Sequence, residues 1–353
     1  MNSLYILFYY LAASLAMFST PLFFLRYRNN DILAIRYLIV LIVTITYIIG
    51  MLRQDGVDYS IYFSAFYEDH TEIPDIGFQL LMLSFNSLQS PFQVMMLFIA
   101  IATILSLCRA ARYFTVSFGL LFILYFLHLA VVRDFSQLRV GLAVALAIFA
   151  VTSQGKFKRG ALYLLAGSVH ITSLAFILSY EFCRWAGQLN SRRKQIIVMV
   201  SAVFGIFFLG SSLQYLAFLD PRIEIYLSWK SDNYGTPVGQ FLTLFFQMSI
   251  LALAYHTRKS WRKDEKIRTL VYLQILGIAV FIAFIDVAIF AFRISNVTLS
   301  LYPVLLISVL AHLRLRVDRY SVANISAALI WLIIGTILLS RAGSAEILKA
   351  ISL

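Results

Sequence analysis

Charge is what this sequence has least of. Only 13% of its 353 residues are Asp, Glu, Lys or Arg, against about a quarter in a soluble globular domain. That deficit excludes a soluble enzyme or binding module of ordinary composition, because most of the chain lies where a charge is too costly. Cysteine is scarce as well. Cys108 and Cys183 both fall beside segments assigned below to the cytoplasm, where a disulfide is not expected, and no Cys/His spacing resembles a zinc site. The short alternating segments of a membrane β-barrel are missing. The first apolar run, Leu4 to Leu25, has neither a basic leader nor a small-residue cleavage site, so it reads as a first span and not as a secretory signal.

What the chain has is apolar length. Hydrophobic residues make up 61% and aromatic residues 15%, and runs of roughly 18–22 apolar residues recur from end to end, each long enough to cross a bilayer core of about 30 Å as a helix. The expected fold is an all-α polytopic membrane protein, a single membrane domain over 1–353 with about ten full transmembrane helices. They are placed at 4–25, 34–52, 91–108, 115–132, 140–153, 195–212, 238–256, 269–291, 295–312 and 321–340.

The charges that do occur orient these spans. Six short basic linkers, Arg26–Arg36, Arg109–Arg112, Lys156–Arg159, Arg184–Lys194, Arg258–Arg268 and Arg314–Arg319, hold with their edges 21 of the 29 Lys/Arg and 5 of the 17 acids, a balance of +16. Everything else holds 8 bases and 12 acids, a balance of −4, which together recover the net +12. Positive-inside bias assigns the linkers to the cytoplasm and both termini to the outer side. The basic balance is thus a topology signal, and no nucleic-acid partner is expected.

Residues 160–184 resist that scheme, because a single crossing would carry Arg184 and Ser191–Lys194 outside. They are expected to form two short helices meeting near Ser168-Val169-His170. A break inside a membrane needs surrounding protein or a water-filled cavity, which draws attention to His170.

The segments left for the outer face, 53–90, 133–139 and 213–237, are polar, aromatic and mixed in charge, and the short turn Phe292-Arg293-Ile294 joins them. In the first, a helix after Gly56 puts Asp58 and Tyr62 one turn apart, with Asp55 and Tyr59 extending the face. Carboxylates beside tyrosines suit sugar hydroxyls and sugar faces; the plainer alternative is an interfacial helix with an aromatic belt. Glu72 to Phe78 leads into a short amphipathic helix near 77–88, either an interfacial helix or a lid. The second segment, Arg133 to Arg139, carries two arginines where positive charge is otherwise rare. The guanidinium fork matches phosphate oxygens, and a helix N-terminus adds free N–H donors; headgroup snorkelling, or pairing of Arg133 with Asp134, is the alternative. Arg293 stands alone at the outer boundary, with Asp286 two turns earlier as a structural partner. The sequons at Asn296 and Asn324 lie within or against apolar spans and carry no weight.

Four elements in this order resemble the EpsG-like branch of the Wzy-type polysaccharide repeat-unit polymerases. Arg53 through Tyr62 resembles an R-x-x-G-x-D-Y-x-x-Y element. Gln137-Leu138-Arg139 with Leu142-Ala143 looks like an Arg-centred element at a span start. His170-Ile171-Thr172-Ser173 is similar to an H-x-S region, with Thr intervening. Arg293-Ile294-Ser295 followed by Tyr302-Pro303 resembles a late Arg element, and Asp75-Ile76-Gly77-Phe78 stands close to a Glu-x-Gly-Phe signal. The resemblance covers roughly residues 50–305.

It implies a GT-C-like polymerase architecture in the bacterial inner membrane. The reaction it implies joins undecaprenyl-pyrophosphate-linked glycans at the periplasmic face, in O-antigen (lipopolysaccharide) or exopolysaccharide synthesis. On that reading Arg139 and Arg293 hold the pyrophosphate, with Arg53 and Arg133 as helpers. His170 is the first choice of base and Asp58 the second, while Tyr59, Tyr62, Glu72 and Gln137 line the sugar path. No metal or other cofactor is expected, since no outer Asp-x-Asp pair is present. Membrane lipids and a chain-length regulator protein are the further partners. A lipid-linked glycan flippase or other transporter, a membrane O-acyltransferase and an O-antigen ligase are the rival classes. A transporter should show internal repeats or several mid-membrane charges, and only Asp286, off centre, is found.

Overall fold

The computed structural model describes residues 30–52, 59–68, 73–134, 137–212 and 237–312. The expected spans 4–25 and 321–340 lie outside these residues, as do Arg53, Asp58, Glu72 and nearly all of the 213–237 loop. Every element among the described residues is helical. Contacts divide the described residues into two compact units, the first reaching to Ile177 and the second starting at Leu178.

The first unit begins with α1 (Asn30–Leu52), α2 (Tyr59–Tyr67), α3 (Ile76–Ser87) and α4 (Phe92–Phe114). Next come α5 (Phe118–Tyr125), a π-helical segment (Phe126–Asp134), α6 (Leu138–Val151), α7 (Lys156–Val169) and the start of α8 (Thr172–Gln188). Its core is α6. Nearly the whole of that helix is buried, which suits a run built of Leu, Val, Ile, Ala and one Gly. It packs chiefly on α4 and α7. Ser117 caps α5 through its side chain, and Thr115 closes α4 in the left-handed region, φ 55°.

The second unit holds α9 (Arg192–Ser211), α10 (Pro237–His256), α11 (Arg258–Trp261), α12 (Glu265–Ala283), α13 (Ala288–Thr298) and α14 (Tyr302–His312). Its centre is α12, packed on α9, α10, α13 and α14. Asp264 caps it by accepting from the backbone N–H groups of Lys266 and Ile267. A buried amide pair, Gln274 donating to Gln247 at 2.6 Å, ties α12 to α10.

Four described helices are long and apolar enough to cross a membrane: Leu33–Leu52, Phe92–Phe114, Arg192–Ser211 and Glu265–Ala283. The pair Ala291–Thr298 and Tyr302–Ala311, bent by 50°, makes a fifth if it counts as one span. On helix α9 only Met199 is buried, as expected of an apolar helix facing lipid. The chain is a helical membrane protein.

The expected spans at 269–291 and 295–312 need correction. α12 stops at Ala283, a turn occupies 284–287, and Phe292-Arg293-Ile294 lies inside α13 instead of forming a turn. The physical cause is Asp286. It is exposed, and a break at this point gives its carboxylate access to water. Hydropathy averaged over a window does not sense one such residue. Among the described residues Asp286 and Arg293 form no ion pair, so the expected structural pairing is not made.

The break expected near Ser168-Val169-His170 is present. α7 ends at Val169, and α8 begins at Thr172. The short helix expected at 77–88 is α3, Ile76–Ser87.

Candidate functional site

Asp75 is the N-cap residue of α3, with φ −90° and ψ 107°. Its carbonyl accepts from the N–H groups of Phe78 and Gln79 at 3.0 and 2.9 Å. An Asp at this position ordinarily turns its side chain onto the first turn of its own helix, a contact worth about 1 kcal/mol. Here it makes no such bond. The carboxylate turns outward, and Oδ2 accepts a charge-assisted hydrogen bond from Nη1 of Arg139. Its other oxygen, Oδ1, lies 3.6 Å from Nδ1 of His170.

Arg139 reaches this point from the first turn of α6. Its guanidinium lies over the ring of Tyr62, 5.6 Å from the centroid, and Nε donates to the Tyr62 hydroxyl at 3.3 Å. Tyr62 is buried on α2, its ring tilted against Phe78 of α3 at 5.7 Å. The fork of an arginine carries five N–H donors in one plane. Tyr62 and Asp75 use the Nε and Nη1 positions. Among the described residues nothing bonds Nη2, so one edge of the fork is left for a further anion.

His170 sits at the break. Its backbone is extended, φ −162° and ψ 127°. Its N–H still donates to the Ala166 carbonyl at 3.0 Å, while its own carbonyl accepts from Ser173 in the first turn of the next helix. Backbone bonds to both helices fix the point at which its side chain leaves the chain.

Gly77 makes the cluster possible. A Cβ there would stand 2.3 Å from the Ser168 hydroxyl oxygen and 2.7 Å from the Ser168 carbonyl carbon. Only glycine lets α3 lie this close to the end of α7, and that approach carries Asp75 to His170. Side-chain exposures of 22% for Arg139, 11% for Asp75 and 19% for His170 describe groups that are largely shielded yet reachable. A carboxylate placed beside both a cation and an imidazole keeps the guanidinium aimed and stabilises positive charge that develops on the ring.

Of the residues singled out in the sequence, the structure brings together Arg139, His170 and Tyr62. It adds Asp75, which had been noted only within the Asp-x-Gly-Phe signal and given no role. Tyr59 stacks on Phe63 and meets Phe92 edge-on, at 5.7 and 5.6 Å. Gln137 precedes α6 and accepts the Gly141 N–H through its backbone carbonyl. Arg293 belongs to α13 in the second unit. Arg133 lies on the π-helical segment, its side chain outside the described part. Arg53, Asp58 and Glu72 lie outside the described residues. Asp134, offered above as a partner of Arg133, accepts hydrogen bonds from Tyr47 and Tyr125.

The model of the EpsG family matches residues 35–349. Neither the curated proteins nor the solved structures give a match. The match spans nearly the whole chain, including α2, α3, α6 and α7 with their cluster, and the chain belongs to the EpsG family.

Proposed function

We propose that this protein is a membrane glycosyltransferase that polymerises undecaprenyl-pyrophosphate-linked oligosaccharide repeat units at the periplasmic face of the bacterial inner membrane. The product is an O-antigen or an exopolysaccharide. One observation carries this reading: the Asp75 carboxylate lies between the Arg139 guanidinium and the His170 imidazole, so a cation and a proton acceptor share one anchor.

A hydroxyl on the terminal sugar of one repeat unit attacks the anomeric carbon of the donor chain. The new C–O bond forms as the anomeric carbon–oxygen bond to the lipid pyrophosphate breaks, and the electron pair leaves with the pyrophosphate. His170 takes the hydroxyl proton at Nε2. Asp75 holds the ring by its Nδ1 side and stabilises the charge that develops on it. Arg139 meets the departing pyrophosphate with the unbonded edge of its fork, and Arg293, Arg53 and Arg133 add positive charge. Positioned cations of this kind stabilise charge as it develops, so the reaction proceeds without a metal. Tyr62, Tyr59, Glu72 and Gln137 line the sugar path, with Asp58 the alternative base. About ten spans in a GT-C-like arrangement, periplasmic termini and a chain-length regulator as partner complete the reading.

Deletion of the gene followed by a surface-glycan gel tests it. The expected result is lipid carrying a single repeat unit. Normal long-chain glycan in the deletion strain would refute the polymerase reading, and loss of even the single unit from the outer surface would favour a transporter.

A further inference from the structure

Asp134 is a buried acid that the chemistry above does not use. It ends the π-helical segment and is completely shielded from solvent. Its Oδ2 accepts hydrogen bonds from two tyrosine hydroxyls, Tyr47 at 2.8 Å and Tyr125 at 2.6 Å. Both rings are buried, and that of Tyr47 meets Phe122 edge-on at 5.6 Å. The other oxygen faces α6. A Cβ on Gly141 would stand 2.7 Å from Oδ1, so the first turn of α6 lies against the carboxyl. One side chain therefore joins α1 through Tyr47, α5 through Tyr125 and the head of α6 through Gly141.

A carboxyl is kept in an apolar interior only when its oxygens are hydrogen-bonded. A network satisfied from several elements rigidifies the place where they meet. The chain that it fixes is the one that delivers Arg139. Only four residues separate Asp134 from Arg139, and Gly141 is two positions further on. The π-helical turn just before it departs from regular helix, a device found often beside functional groups.

We propose that Asp134, clamped by Tyr47 and Tyr125, is the positioning residue for Arg139. It fixes the height and direction at which α6 enters the site, and hence the aim of the guanidinium at the leaving pyrophosphate. The proposal rests on the reading of Arg139 as the pyrophosphate-holding group. It is distinct from a role in fold stability alone, because a misaimed arginine changes anion affinity in molecules that are folded.

The test uses the purified full-length protein, its polymerisation of lipid-linked repeat unit, and inorganic pyrophosphate as inhibitor. Tyr47→Phe and Tyr125→Phe each delete one hydroxyl and keep the ring. Each should raise the inhibition constant for pyrophosphate and lower kcat by ~fivefold, about the effect of one hydrogen bond. The melting temperature and the KM for the acceptor repeat unit should stay near wild type. An inhibition constant describes folded molecules, so a purely structural role would lower the melting temperature or the yield and leave that constant unmoved. That result, or failure of both variants to accumulate in the membrane, overturns the positioning role alone. If purified Arg139→Ala binds pyrophosphate in a direct titration as tightly as wild type, the anion role of Arg139 falls, and the positioning role falls with it.

Discussion

The Asp75 carboxylate stands 3.6 Å from Nδ1 of His170, where α7 gives way to α8. The two residues are brought together by the passage of α3 across the end of α7, and the same carboxylate holds Arg139. On the reading proposed above, this contact couples the base to the cation.

Asp75→Asn keeps the shape of the side chain and removes its charge. Membrane abundance should stay normal and kcat should fall by about 10²-fold or more, the contribution of a well-placed acid–base pair. Turnover per molecule, from purified protein and labelled repeat unit, decides the matter. A variant at wild-type rate would mean that Asp75 only packs.

Arg139→Ala should abolish polymerisation without loss of protein from the membrane. Arg139→Lys should recover little. A lysine is a point charge and cannot reach Tyr62, Asp75 and a phosphate oxygen together in one plane. Full activity in the lysine variant would show that charge alone is needed.

Gly77→Ala should act at a distance from the chemistry. The added methyl runs into Ser168, backbone included, so α3 must retreat from α7 and take Asp75 with it. A displacement of about 1 Å at a reacting group can cost ~10²-fold. Gly160→Ala on α7 is the control, since among the described residues a Cβ there meets nothing within 4 Å. It should leave turnover unchanged. Equal rates for the two variants would remove the argument from close approach.

The loop at 213–237 should lie outside and help to shape the acceptor site, for it holds Asp220, Arg222, Glu224, Trp229 and Tyr234. In a background without Cys108 and Cys183, single cysteines placed there should react with an impermeant thiol reagent in intact spheroplasts. Labelling only after lysis would reverse the topology.

The helical spans were legible because a run such as Leu33–Leu52 or Phe92–Phe114 is apolar throughout, and length alone settles its kind. The break at His170 was legible from charge, since basic residues at both ends of 156–194 demand an even number of crossings. The end of α12 was not, because one aspartate, Asp286, decides it against a hydropathy average. Arg139 and His170 stood out as polar groups in apolar surroundings. Asp75 did not, because an aspartate before a helix usually serves as its cap, and only geometry shows that this one points elsewhere. The Asp134 clamp was hidden for a similar reason. Its partners, Tyr47 and Tyr125, lie 87 and 9 positions away, and tyrosines are abundant in this chain.

The central claim is that His170 is the base. Single-turnover polymerisation by purified wild type and His170→Gln, measured across pH, tests it most directly. Histidine ordinarily titrates near neutral pH, so the wild-type rate should fall as acid protonates the ring. Glutamine keeps hydrogen bonding but takes up no proton. The account predicts a folded variant that still binds lipid-linked substrate, turns over at least ~10²-fold more slowly, and has lost that limb of the pH profile. A glutamine variant running at the wild-type rate with an unchanged profile would contradict it.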